Sequence, residues 1–118
     1  MSEKILSISI AAYNVENVIN DCLDSICLCQ CIDDLDVIIV DDGSIDKTVE
    51  IVNSYVYRFP SSIKLVKKEN GGHGSTINTS LNIARGKYFK VLDGDDWVNP
   101  TELDKLIKFL KNTDIDLV

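Results

Sequence analysis

The sequence has no apolar run long enough to cross a bilayer, no internal repeat, no low-complexity stretch and too little basic charge to balance its acids. Ile5–Ile10 is interrupted by serines and falls far short of the ~20 residues a membrane helix needs, and the Met-Ser-Glu-Lys before it does not resemble a secretory signal. Twelve basic against nineteen acidic residues leave a formal charge of −7. That argues against a nucleic-acid or anionic-membrane surface, because phosphates would be repelled rather than neutralised. With one histidine, His73, a Ser-His-Asp triad or a histidine-rich metal site would hang on a single residue. Gly71-Gly72-His73-Gly74-Ser75-Thr76 lacks the lysine of a phosphate loop, and Ile77 stands where a dinucleotide fingerprint places its last glycine. What remains is a small cytosolic domain: 118 residues, 45% apolar, 26% charged, enough for one compact unit and not for two.

Cysteine is the exception to this scarcity. Cys22, Cys27, Cys29 and Cys31 fall within ten residues, as C-x4-C-x-C-x-C. Thiolates cluster around zinc, but this spacing is not a common zinc pattern, and Cys22 and Cys27 point in different directions on a helix. The expectation is reduced, mostly buried thiols acting as small apolar residues.

Strand-like and helix-like segments alternate. Ile5–Ala12 places Leu6, Ile8 and Ile10 on one face and Ser7 and Ser9 on the other. Asn14 is suited to cap a helix over roughly residues 15–29, with Val15, Val18, Ile19, Cys22 and Ile26 inward. Leu35–Val40, broken only by Asp36, reads as a strand covered on both faces. Asp46 then caps a helix that turns Val49, Val52, Tyr55, Val56 and Phe59 inward. Ile63–Val66 is a short third strand. A helix from about Ser75 to Arg85 follows, ended by Gly86, then a strand over Tyr88–Leu92. Asn99-Pro100-Thr101-Glu102 carries a cap, a first-turn proline and a glutamate able to reach back, and Leu103, Leu106, Ile107 and Leu110 form that helix's inner stripe. Ile115–Val118 begins a fifth strand.

Repeated βα units predict a Rossmann-like, three-layer αβα fold with a mostly parallel sheet. Ligands in such folds bind beyond the carboxyl ends of the strands. The four strand exits read Ala11-Ala12-Tyr13-Asn14, Asp41-Asp42-Gly43-Ser44, Asn70-Gly71-Gly72-His73-Gly74 and Asp93-Gly94-Asp95-Asp96. All four are polar or glycine-rich beyond what a core needs, so they converge on one site. Asp93, Asp95 and Asp96 repel one another unless a cation is shared, and Mg2+ or Mn2+ held with substrate phosphates relieves the repulsion. Asp41 and Asp42 end the second strand, where an acid accepts from a ribose hydroxyl or a uracil N–H. Capping accounts for Asp46 but not for two adjacent aspartates.

Together these stretches resemble the nucleotide-binding half of the family 2 glycosyltransferases, which have the GT-A fold. That family shows Pro-x-Tyr-Asn, Val-Asp-Asp-Gly-Ser with x-Asp-x-Thr, Asn-x-Gly, and Ala-x-Gly-x-Tyr leading to Asp-x-Asp-Asp. Here the matching segments are Ala11-Ala12-Tyr13-Asn14, Val40 to Thr48, Asn70-Gly71-Gly72 with Asn78 after it, Ala84 to Tyr88, and Val91 to Trp97. The order and spacing hold along nearly the whole chain.

The resemblance implies transfer of a sugar from a nucleotide-diphosphate sugar, of UDP type, to an acceptor hydroxyl with inversion, in glycan or polysaccharide synthesis. It assigns nucleotide contacts to Ala11, Tyr13, Asp41, Asp42, Asn70, Gly72 and Asp93. It assigns donor-sugar or diphosphate contacts to His73, Asn78 and Asp95, and an Mg2+ or Mn2+ site to Asp93, Asp95 and Asp96. Residues 1–118 are then a single donor-binding domain, a truncated GT-A unit without its acceptor part, with the catalytic base expected downstream of Val118. Its partners are the nucleotide sugar and, in the intact protein, a glycan or lipid-linked acceptor; no transmembrane segment is expected, and the setting is the cytoplasm or the inner membrane face. Three positions depart from the pattern: Ala11 for proline, Ile77 for arginine and Ser80 for glycine. The second removes a cation, leaving His73, Lys67 or no residue to face the diphosphate.

Two other readings compete. A receiver-type phosphoacceptor domain would carry an acidic pair after its first strand and a lone aspartate after its third, where this chain has Tyr13-Asn14 and Asn70-Gly71. A non-catalytic nucleotide-binding module would keep the donor site without transfer.

Overall fold

The computed structural model describes residues 4–68 and 73–112. Four strands, β1 (Lys4–Ala12), β2 (Leu35–Asp41), β3 (Ile63–Lys67) and β4 (Gly86–Asp93), form one sheet in the order β3-β2-β1-β4, and every pairing is parallel. The chain winds outward from β1 to β3, then crosses back to set β4 on the other side of β1. The fold class expected from the sequence is therefore present; the expected fifth strand at Ile115–Val118 lies outside the described residues.

Alternation along the strands builds the layers. Leu6, Ile8 and Ile10 of β1 and Leu35, Val37 and Ile39 of β2 join one apolar core. That core is completed by α1 (Ile19–Cys27), α2 (Thr48–Arg58) and α4 (Pro100–Lys111), through Leu23, Val52 and Ile107 among others. Each fully buried isoleucine or leucine there contributes about 1.5–3 kcal/mol of transfer free energy. The other face of β1 carries Ile5, Ser7, Ser9 and Ala11, and the small serines at its middle let α3 (His73–Ile83) lie close against it, with the Ser9 hydroxyl 2.6 Å from that of Ser80. Ser80, one of the three departures from the resembled pattern, is thus buried and hydrogen-bonded.

Asp36, the one charge in the apolar run of β2, is fully buried beneath this second face. Its carboxylate accepts from the Ser7 hydroxyl at 2.8 Å and the Arg85 amide at 2.8 Å, and lies 3.2 Å from Lys64 Nζ. Burial alone would raise its pKa, but those donors and the lysine outweigh it and hold the group below the ordinary carboxylate range. Gly86 does not end α3. It opens β4 so close to β1 that a Cβ would stand 2.4 Å from the Ser7 nitrogen.

Other local expectations shift for identifiable reasons. Val15 and Val18 precede α1 in a turn, and Asn14, with φ of 50°, caps nothing there; its Oδ1 accepts instead from the Ile45 amide at 2.9 Å. The Asp46 carboxylate does meet α2, accepting from the Thr48 amide at 3.0 Å and the Glu16 amide at 3.2 Å. On α2, Val49 and Val56 are half-buried, as is Phe59 just past its end, while Val52 and Tyr55 are buried. Asn99 caps α4 as expected, accepting from Thr101 and Glu102 amides, but the Glu102 side chain pairs with Lys105 rather than reaching back, and Leu106 is partly exposed.

The cysteines divide. Cys22 and Cys27 are free thiols, as expected, and burial pushes them up to about 12 and about 11 respectively. Cys29 and Cys31 are joined in a disulfide, contrary to the expectation that all four are reduced. Just past the end of α1, the turn at Gln30 folds the second cysteine back onto the first, a proximity that sequence spacing alone does not disclose.

Candidate donor-binding site

The reversal of strand order falls between β1 and β4, where ligands settle in open parallel sheets. Register fixes what lies there. Ala11 is paired with Asp93, Ala12 with Asp41, and the Gly94 amide donates to the Ala11 carbonyl at 3.0 Å. The exits of β2, β1 and β4 are therefore adjacent.

Two loops are stitched across this rim. The Asn14 amide donates to Ser44 Oγ at 2.9 Å, the Val15 amide to Thr48 Oγ1 at 2.9 Å, and the Asn14 side chain returns an acceptor to Ile45. Gly43, with φ of 92°, makes the β2-exit turn in the left-handed region. Asp41 turns inward to hold that turn, its Oδ2 accepting from the Ser44 amide at 3.2 Å. Its other oxygen is buried with no hydrogen-bond partner among the described residues.

Ala11, Ala12, Tyr13, Asp42 and Thr76 line a cavity of about 210 Å³ at the rim. Asp42 is buried to 9% exposure, and Lys68 Nζ donates to its Oδ1 at 2.7 Å. Tyr13 is half exposed. Beyond Asp93 the chain turns, the Asp96 amide donating to the Asp93 carbonyl at 3.0 Å. Asp93, Asp95 and Asp96 are exposed, and a carboxylate oxygen from each lies within 4.8 Å of the others. None of the three is in an ion pair among the described residues. Three exposed oxygen donors at this spacing fit a hard divalent cation such as Mg2+ or Mn2+.

The structure thus gathers Ala11, Tyr13, Asp42, Asp93, Asp95 and Asp96 on one rim, with Asp41 beneath it. Asn78 is exposed on α3. Asn70 and Gly72 lie outside the described residues, and His73 is placed only as the first residue of α3. Two residues escaped the sequence reading. Thr76 is buried in the cavity wall, and Lys68 supplies the cation beside Asp42, while Lys67 is exposed. The doublet Lys67-Lys68 at a strand end was the available signal, since alternation sends neighbouring side chains opposite ways.

The sequence profile of glycosyl transferase family 2 matches residues 7–118. The chain belongs to this family. Among curated relatives, the uncharacterized glycosyltransferase EpsJ of Bacillus subtilis is 36% identical over 114 residues, covering 97% of this chain and 33% of that protein. The S. aureus TarS 1-349 structure in complex with UDP superposes with a TM-score of 0.82 at 28% identity, over 91% of this chain and 32% of that one. The mannosyltransferase PcManGT of Pyrobaculum calidifontis, in complex with GDP-Man and Mn2+, gives 0.80 at 26% identity, over 98% and 34%. The chain spans about a third of the length of these proteins, and its sheet is that of GT-A glycosyltransferases. No helix among the described residues is long and apolar enough to cross a membrane.

Proposed function

We propose that the chain binds the nucleoside diphosphate of a UDP-type sugar donor at the β1–β4 rim, as the donor-binding part of an inverting transferase that delivers the sugar to an acceptor hydroxyl in glycan or polysaccharide synthesis. The observation that carries this reading is the register of Ala11 with Asp93, which sets the three carboxylates beside the cavity lined by Tyr13 and Asp42.

Asp42 accepts and Lys68 donates, 2.7 Å apart. That pair complements a base edge with an N–H next to a carbonyl, as in uracil and guanine, and opposes cytosine and adenine, whose ring nitrogen there is an acceptor. Tyr13 offers its ring as a wall for the base, and the buried acceptor of Asp41 adds negative potential under the ribose side. Asp93 meets the ribose and diphosphate, Asp95 the diphosphate, and Asp96 shares the cation. A divalent ion held by these carboxylates supplies Lewis-acid neutralisation of the departing diphosphate. Asn70, Gly72, His73 and Asn78 complete the donor contacts in this assignment.

The acceptor, a glycan or lipid-linked sugar, and the base that deprotonates its hydroxyl are assigned to parts of the protein outside the described residues. The raised pKa of the free thiols Cys22 and Cys27 keeps them protonated and inert, and the setting assigned in this reading is the cytoplasm, at the inner membrane face where a lipid-linked acceptor would lie.

The test is a competition series with Mn2+ present: UDP, GDP, CDP and ADP against a fluorescent uridine nucleotide. UDP should displace best and CDP and ADP least, and Asp42→Asn should lose at least roughly tenfold for UDP. Equal displacement by all four, undiminished in Asp42→Asn, would contradict the assignment.

A further inference from the structure

At the end of the sheet where the strands begin, away from the donor rim, the link from α1 to β2 packs against α4 through a cluster that the donor site does not use. Cys29 and Cys31 are nearly buried, 2% and 8% exposed, and Asp104 of α4 faces them. The Asp104 carboxylate is held by backbone donors, Oδ1 taking the Cys31 amide at 3.0 Å and Oδ2 the Gln30 amide at 3.2 Å. The Cys31 amide also points at Cys29 Sγ, 3.1 Å away. One contact has no partner chemistry in the disulfide: Cys29 Sγ lies 3.0 Å from Asp104 Oδ1, yet a disulfide sulfur carries no proton to share. Two electron-rich atoms pressed together in this way are stabilised when a thiol proton or a cation lies between them.

We propose that Cys29, Cys31 and Asp104 form a thiol-based metal site that, in the reduced protein, binds a borderline-soft divalent cation of the Zn2+ class, the disulfide being its metal-free oxidised form. Ligand atoms of all three residues already lie within 4.8 Å of one another. Reduction is a two-electron step: two molecules of a small thiol reductant give two hydrogen atoms to the Cys29–Cys31 bond and become a disulfide themselves. The cation then displaces both thiol protons and forms two metal–sulfur bonds and one metal–oxygen bond, with water in a fourth, tetrahedral position. Space for that water exists, since a cavity of about 260 Å³ opens over Cys31 and Asp104. Backbone amides already fix the carboxylate and point at one sulfur, the kind of support that orients metal ligands and favours thiolate over thiol. Two thiolates, a carboxylate and a divalent cation sum to a charge of −1, which Lys108 in the same cavity offsets, while Lys111 there is paired with Asp34 at 2.9 Å. The other two cysteines, Cys22 and Cys27, lie on α1 outside the cluster.

The probe is Cd2+, titrated into the 118-residue chain kept reduced by a phosphine, with thiolate-to-metal charge-transfer absorption as the readout. The band should saturate at one equivalent, be absent from the disulfide form, vanish in Cys31→Ser and weaken roughly tenfold or more in Asp104→Asn. It should persist in Cys22→Ala/Cys27→Ala and in Asp93→Asn/Asp95→Asn, because carboxylates at the donor rim give no such band. A second readout needs no variant: Zn2+ should protect Cys29 and Cys31 from alkylation, mapped by mass spectrometry. Absence of the band in the reduced wild type, a band that survives in Cys31→Ser or needs Cys22 and Cys27, undiminished affinity in Asp104→Asn, or alkylation of Cys29 and Cys31 unaffected by Zn2+ would each overturn the proposal.

Discussion

Lys68 Nζ lies 2.7 Å from Asp42 Oδ1, so the acid lining the rim cavity is paired across from the β3 exit to the β2 exit. Both side chains are largely buried, which makes the pair a directional donor–acceptor edge rather than a screened surface contact. Lys68→Met should weaken UDP binding about three- to tenfold and lower Tm, since it leaves the largely buried Asp42 charge without this partner, whereas Asp42→Asn should lose more binding, because it replaces an acceptor by a group that can turn a donor to the base. Calorimetric titration of both variants checks the order; a larger loss in Lys68→Met would place the base elsewhere.

Two glycines should separate stability from binding. A Cβ at Gly86 would meet the backbone of Ser7 and Leu6 at 2.4 and 2.7 Å, so Gly86→Ala should force β4 from β1 and cost about 1–3 kcal/mol. At Gly94 the clash is with the Ala11 carbonyl, 2.9 Å away, where the acidic turn meets the cavity. Gly94→Ala should therefore lose more of the metal-dependent nucleotide affinity than of the melting temperature. Paired thermal melts and UDP titrations read both.

Asp36 sets an acid limit on stability. Its folded pKa is depressed, so its contribution is fully present above the unfolded value near 3.8 and disappears as pH falls through the lower folded value. Asp36→Asn should be less stable than wild type at neutral pH by about 1–3 kcal/mol, and the gap should narrow below pH ~3.8. Urea midpoints across that range test the sign; a gap that widens on acidification would contradict it.

Ile10 is fully buried where β1 approaches the rim. Ile10→Ala should cost about 2–5 kcal/mol by lost transfer energy and cavity formation, visible as a lower urea midpoint at unchanged slope.

The sheet was legible because its signal is periodic: Leu6, Ile8 and Ile10 against Ser7 and Ser9 declare two differently covered faces, and four polar exits declare a rim. Boundaries were less so. The helix after β1 starts at Ile19, four residues later than Val15, because Asn14 is used to bind the neighbouring loop, a long-range bond no local rule contains. Lys68 was hidden for the same reason, its partner Asp42 lying on another element, and Thr76 because the rest of the cavity wall comes from β1 and the β2 exit. Cys29 and Cys31 were visible as residues but not as a cluster, since Asp104, their third member, lies more than seventy residues along the chain.

A cation shared between Asp93, Asp95 and Asp96 and a nucleoside diphosphate in the adjoining cavity is the centre of the proposed function. Calorimetry of UDP binding with and without Mn2+, on wild type and Asp93→Asn/Asp95→Asn, tests it most directly. Wild type should bind UDP at least roughly tenfold more tightly with Mn2+, and the double variant should lose that enhancement while keeping its fold. Metal-independent binding by wild type, or an undiminished enhancement in the variant, would contradict the account.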